Sequence, residues 1–167
     1  MISSIAEFEQ TWTRESDATR KVFAQLTDRS LAQAVNQDHR TIGRLAWHLA
    51  VSVPEMMNRT GLKVSVPKED APVPASAAAI RDAYDQAARA LLTEMRAKWT
   101  DASLKVEDDM YGMKWTRAMT LTSLLYHQTH HRGQMTVLMR QAGLKVPGVY
   151  GPAKEEWAAM GAEPPAI

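Results

Sequence analysis

The sequence has no cysteine. Disulfides are therefore excluded, and so is any thiolate ligand or nucleophile supplied by the chain itself. A metal site here has to be built from His, Asp or Glu. An excess of one charge is also missing. Lys plus Arg number 20 and Asp plus Glu 19, a formal net charge of +1 at pH 7, which gives no basic field for nucleic acid. No apolar run approaches the roughly 20 residues that span a bilayer. The opening MISSIAEFEQTW has neither a basic start nor a long apolar stretch, so no export signal is expected. These absences leave a protein expected in the cytoplasm, with no nucleic-acid or membrane partner. Its length suits one domain over residues 1–167, and 45% hydrophobic residues suffice for a packed core.

Apolar residues recur at helical spacing in four long segments. Ile5, Phe8, Trp12, Ala18, Val22, Phe23 and Leu26 predict a helix over 3–26. After the connection TDRSLAQAVNQDHR (27–40), a second helix is expected to begin between Asp38 and Thr41, where capping side chains are available. Its apolar face is Ile42, Leu45, Ala46, Leu49, Val53, Met56 and Met57, and Pro54 is a place where it could kink. GLKVSVPKEDAPVP (61–74) reads as a loop. A third helix fits 75–98 with Ser76 as cap, and SLKVEDDMYGMKW (103–115) fits a short hairpin or irregular loop. The fourth helix covers about 116–142 and stops at Gly143. AKEEWAAM (153–160) suggests a short fifth helix with Pro152 in its first turn. Four long helices with modest connections make an all-α antiparallel four-helix bundle the expected architecture.

Three of the five histidines fall in HQTHHRGQ, residues 127–134. Residues four apart on a helix project about 40° apart, one turn along. His127 and His131 therefore share a face, the spacing by which one helix gives two imidazoles to one ion. His130 is about 100° round from His131 and belongs at the edge. Thr120, Ser123, His127, His131 and Gln134 form a polar line beside a core face, and Thr41, Arg44, His48, Ser52 and Glu55 form another on the second helix. If the two lines meet at a crevice, His48 is the natural third ligand. Spacing alone leaves the bland alternative open, since exposed histidine pairs on wet helix faces are common. A metalloprotease helix reads HExxH, and Gln128 stands where its general base would be. Glu55 and Glu94 read as solvated or ion-paired, Tyr84 as core, and Tyr126 as a free donor. Met119, Met135 and Met139 read as core, as do Trp47 and Trp115, although either tryptophan could wall a pocket. Gly133, costly in mid-helix by roughly 1 kcal/mol against Ala, suggests close approach of another helix within the bundle or across a dimer. Arg132 is expected to pair with a carboxylate or lie at an interface, and Gln134 to orient a ligand or face water.

The run His127, His130, His131, Arg132, Gly133 and Gln134, with IGRLAWHLA at 42–50 and the tail VPGVYGPAKEEW, resembles the DinB/YfiT-like metalloenzyme family. The likeness covers nearly the whole chain in the order and type of its elements. It implies an up-down-down-up four-helix bundle with a short extra C-terminal helix, a homodimer, and a divalent metal ion on His48, His127 and His131. Zinc and nickel come first, with iron, manganese and copper open. Several relatives in that family are thiol-dependent transferases, so the resemblance implies a metal-dependent transferase joining a low-molecular-weight thiol to a small electrophile. Three imidazoles leave an ion with an open position, as in catalytic rather than structural sites. A hydrolase using metal-activated water and a non-catalytic metal-binding bundle remain alternatives. No catalytic side chain is assigned from the sequence.

Overall fold

The computed structural model describes residues 2–65 and 71–166. Residues 66–70 of the expected loop lie outside them.

The first helix, α1, spans Ile5–Phe23, with the Ser4 hydroxyl accepting the Glu7 N–H at its start. It is shorter at both ends than the apolar spacing predicts. At its C-terminus Gln25 and Leu26 close 3₁₀-type bonds back to Val22 and Phe23, so Leu26 is buried from a turn and not from the helix. A 3₁₀ turn follows at Asp28–Ala32, capped by Thr27. The second helix, α2, spans Ile42–Asn58 from the cap Thr41. Gly43 in its first turn packs closely on the preceding 3₁₀ turn, where a Cβ would meet the Leu31 carbonyl oxygen at 3.1 Å. Pro54 does not break α2, which continues four residues beyond it to Asn58.

Helix α3 spans Ala77–Lys98 and is capped by Ser76. The segment after it resolves into a 3₁₀ turn, Asp101–Lys105, and a true hairpin. Strand β1, Glu107–Met110, pairs antiparallel with β2, Met113–Thr116, in the register Asp108 to Trp115 and Asp109 to Lys114. The two turn residues, Tyr111 and Gly112, have φ of 58° and 81°. Positive φ at both positions is the turn whose twist matches the strands, but a tyrosine is a rare occupant of the first. Helix α4, Arg117–Gln141, starts at the cap Thr116 and stops where Gly143 turns left-handed at φ 72°.

Helix α2 packs on α3 and α4, and α1 packs on the same two, so the four form one all-α bundle. The shared core is built from Phe8, Trp12, Leu49, Tyr84, Leu91 and Leu121, each fully buried. Burial of each such side chain stabilises the fold by about 1.5–3 kcal/mol. Met135 and Met139 join this core, whereas Met119 is 41% exposed and does not, which corrects the spacing argument. It lies in the first turn of α4, next to the cap, where no facing element covers it. The expected short fifth helix takes a tighter form. AKEEWAAM forms two successive 3₁₀ turns, Lys154–Glu156 and Ala158–Met160, with no buried residue in either. A segment this short has no helical stability of its own, and it buries no face that would supply some. Among the described residues no helix is long and apolar enough to cross a membrane.

Candidate metal centre

The polar lines on α2 and α4 meet. His48 comes from the middle of α2, and His127 and His131 come from successive turns of α4. The ring centroids stand 4.5 Å apart for His127 and His131, 4.8 Å for His48 and His131, and 4.9 Å for His48 and His127. Each ring offers one nitrogen, and these atoms all lie within 4.8 Å of one another. His48 Nε2 faces His127 Nε2 at 3.0 Å. With ligand bonds of about 2.0–2.1 Å, two nitrogens on one ion stand at most about 4 Å apart, so this pair is within reach of a shared ion.

Each ring has a distinct setting. His131 Nδ1 lies 2.8 Å from Gln134 Oε1, and Gln134 Nε2 lies 3.1 Å from His130 Nε2. The amide oxygen can only accept, so His131 donates from Nδ1 and its Nε2 is left as the lone-pair nitrogen. Gln134 therefore orients a member of the cluster, and His130, exposed, sits outside it as the helical angle predicts. On α2 the Ser52 hydroxyl bonds the His48 backbone carbonyl one turn back. Burial, followed by the nearby imidazoles His127 and His131, pulls the His48 pKa down to about 4. Burial and then His131 and His130 do the same to His127, also to about 4. Burial lowers His131 too. Arg40 contributes to the lowering at all three.

This donor set fits a divalent ion on its chemistry. The three imidazoles are neutral near pH 7, the form that binds a metal. His127 Nδ1 is buried with no hydrogen-bond partner among the described residues. A buried polar atom left unbonded costs about 1–3 kcal/mol, and an ion held at Nε2 leaves that cost in place, so it is the neutral, convergent rings that fit an ion.

Two clefts border the cluster, one lined by His48 and His127 and the other by His131. One, about 530 Å³, is lined by His48, Ser52, Glu55, Tyr111, Trp115 and His127. Glu55 is bound there by the Arg59 guanidinium at 2.7 Å and by the Tyr111 hydroxyl at 2.7 Å. It is an ion-paired wall residue, as expected. Trp115, partly buried against the core, also belongs to this wall and packs edge-on to Tyr111. Trp47 is a core residue, its indole N–H bonded to the Ala71 carbonyl. The other cleft, about 420 Å³, is lined by Arg40, Leu45, His131, Gln134, Val137 and Leu138 among others. Sequence reasoning misses Tyr111, Arg59 and Arg40. The only local signal for Tyr111 is a bulky residue directly before glycine in a hairpin turn.

The remaining candidates lie elsewhere. Thr120 is fully buried and does not face the crevice, and Arg44 is exposed. Glu94 is bound by Lys98 and by the Lys63 N–H, away from the histidines. Tyr126 is 72% exposed. Gln128 is buried and accepts the Tyr84 hydroxyl proton. Arg132 is buried and bonds the Glu15 carboxylate at 2.6 Å, the Glu15 carbonyl at 2.9 Å and the Thr19 hydroxyl at 3.2 Å. The Tyr150 hydroxyl joins this network by donating to Glu15 at 2.8 Å. Gly133 is exposed, and a Cβ there would meet nothing within 4 Å. Its expected close contact inside the bundle is therefore overturned.

The chain as a whole has counterparts among known proteins. The model of the DinB family matches residues 1–165. The chain is 46% identical over 165 residues to the uncharacterized protein YrdA of Bacillus subtilis (strain 168), covering 99% of each. A crystal structure of a DinB-like protein from Bacillus cereus ATCC 10987 superimposes with a TM-score of 0.87 at 45% identity, over 90% of this chain and 100% of that one. A second DinB-like protein, YjoA of Bacillus subtilis, shares the fold at a TM-score of 0.67 and 14% identity, over 86% of this chain and 97% of its own. Sequence match and bundle agree, and the chain belongs to the DinB family.

Proposed function

We propose that this protein is a metal-dependent transferase that joins a small thiol to an electrophilic substrate. The observation that carries the proposal is the convergence of three neutral imidazoles, His48, His127 and His131, each lining one of two clefts. These residues would hold a divalent ion, with zinc or nickel suited to imidazole. When bound, the ion supplies a Lewis-acidic position that favours the thiolate form of a thiol.

The chain has no cysteine, so the reacting sulfur comes from a cosubstrate. Sulfur forms the new S–C bond with its lone pair, the thiol proton is released, and the leaving group departs with the electrons of the bond it breaks. The protein's own part is orientation and exclusion. Gln134 presents His131 by its Nε2. The Glu55 carboxylate, engaged by both Arg59 and Tyr111, serves as a wall and leaves proton removal to solvent. Trp115 and Tyr111 narrow the larger cleft against water.

Metal analysis of the purified protein and of its His48→Ala, His127→Ala and His131→Ala variants tests the site. The expected result is about one ion per chain in the parent and loss in each variant. Full occupancy in any variant removes that residue from the site. Thiol consumption by the metal-loaded protein across a panel of thiols and electrophiles tests the reaction. Turnover that needs no thiol would replace the transferase reading with hydrolysis.

A further inference from the structure

The smaller cleft differs from the larger one in its lining. Its walls are Val35, Leu45, Val137 and Leu138, and no carboxylate lines it. Val35 is 62% exposed and Val137 57%, so apolar surface is left open directly beside His131. Arg40 lines the same space. Most arginines of this chain are neutralised: Arg20, Arg59, Arg89, Arg96, Arg117, Arg132 and Arg140 all hold carboxylates. Arg40 has no hydrogen bond or ion pair among the described residues, and its other neighbour in the cleft, His39, is turned to Asn36 through Nδ1.

We propose that this cleft binds a small organic carboxylate, with the carboxylate on the Arg40 guanidinium and an apolar body along Val35, Leu45, Val137 and Leu138. A planar guanidinium takes a carboxylate through two parallel N–H bonds. The volume of about 420 Å³ lies within the range that holds small ligands. One guanidinium matches one negative charge. A phosphate dianion would leave excess charge against apolar walls, which is costly. An amine would meet a cation, and a plain hydrocarbon would leave Arg40 unused. An anion seated at Arg40 reaches toward His131, so the far end of its body lies at the histidine cluster. That this carboxylate is the electrophilic substrate rests on the transferase reading. That the cleft binds it does not.

Calorimetric titration of the full chain, stripped of metal by chelator, separates the two. Hexanoate, hexanol, hexylamine and hexyl phosphate share one body and differ in the head group. Hexanoate is expected to bind at least tenfold more tightly than hexanol, with hexylamine weaker still. Arg40→Ala should lower hexanoate affinity about tenfold, to the level of hexanol, and leave hexanol binding unchanged. Arg40→Lys should recover part of the loss, since the charge remains without the fork. Val137→Asp should weaken hexanoate and hexanol alike. Hexanoate binding that is absent, or that survives Arg40→Ala unchanged, overturns the proposal, and so does hexyl phosphate binding more tightly than hexanoate. Because metal is absent throughout, a chain that takes up no metal still answers the question. Carboxylate binding without metal uptake would keep this site and end the transferase reading.

Discussion

His131 and Gln134 are joined by a hydrogen bond of 2.8 Å along one face of α4, from the imidazole Nδ1 to the amide oxygen. The bond fixes which ring nitrogen faces His48 and His127. Partners of this kind typically affect metal affinity 10–100-fold. Gln134→Ala is therefore expected to weaken metal binding roughly tenfold in a chelator competition. Gln134 is exposed, so the melting temperature of the metal-free protein should barely change. Equal affinity in parent and variant would show that the ring is held by its packing alone.

Acid should destabilise the metal-free protein over a defined window. His48 and His127 have pKa values of about 4 when folded, against 6.5 for the free group. Between these values the unfolded chain binds protons that the folded chain does not, so stability falls as pH falls from about 6.5 to about 4. Above that window both states are neutral at these rings, and below it both are charged. Urea midpoints measured across the range should be flat at high pH and drop within the window. An identical midpoint at about pH 5 and pH 8 would contradict the neutral buried rings. With metal bound, protons compete for the same nitrogens, and the ion should leave on acidification.

Arg132→Met should be strongly destabilising. The guanidinium side chain is 3% exposed and holds the Glu15 carboxylate, and removing one partner of a buried pair costs about 3–5 kcal/mol. Tyr150→Phe removes one hydroxyl from the same network and should cost about 1 kcal/mol. Denaturant titration of the two variants should rank them in that order. Similar small losses in both would mean that water replaces Arg132 readily.

Gly133→Ala should stabilise the isolated chain by about 1 kcal/mol, because a mid-helix alanine is favoured over glycine by that amount. Nothing lies within 4 Å of the added Cβ. The melting temperature should rise by roughly 2–4 °C for a chain of this size. A loss of stability instead would place a second chain against this position, and sedimentation of parent and variant would reveal it.

Much of the bundle was legible because helices announce themselves locally. Ser4, Thr41, Ser76 and Thr116 cap the four long helices, and the apolar residues between them recur at helical spacing. The pairing of His127 with His131 followed from one turn of helix. The approach of His48 needed the packing of α2 on α4, which periodicity suggests but does not fix. Tyr111, Arg59 and Arg40 escaped for a related reason. They reach the clefts from a hairpin turn, the end of α2 and a connection, where no regular spacing points at a site. Met119 was misjudged because a side chain at core-like spacing is buried only if some element faces it, and for the same reason Gly133 meets no other helix within the bundle. Arg132 was read in kind, as a carboxylate partner, but its depth depends on α1, more than a hundred residues earlier in the chain.

His131 and Arg132 are neighbours in sequence that face different ways, one into the cleft and one onto α1. That adjacency works as a keyway. With Arg132 seated on Glu15 and Thr19, α4 cannot turn about its own axis without unseating a buried charge. The two α4 imidazoles therefore keep their phase whether or not an ion sits between them. An ion of the kind proposed would then be taken up by ring rotation against a stationary frame, with no rebuilding of the bundle.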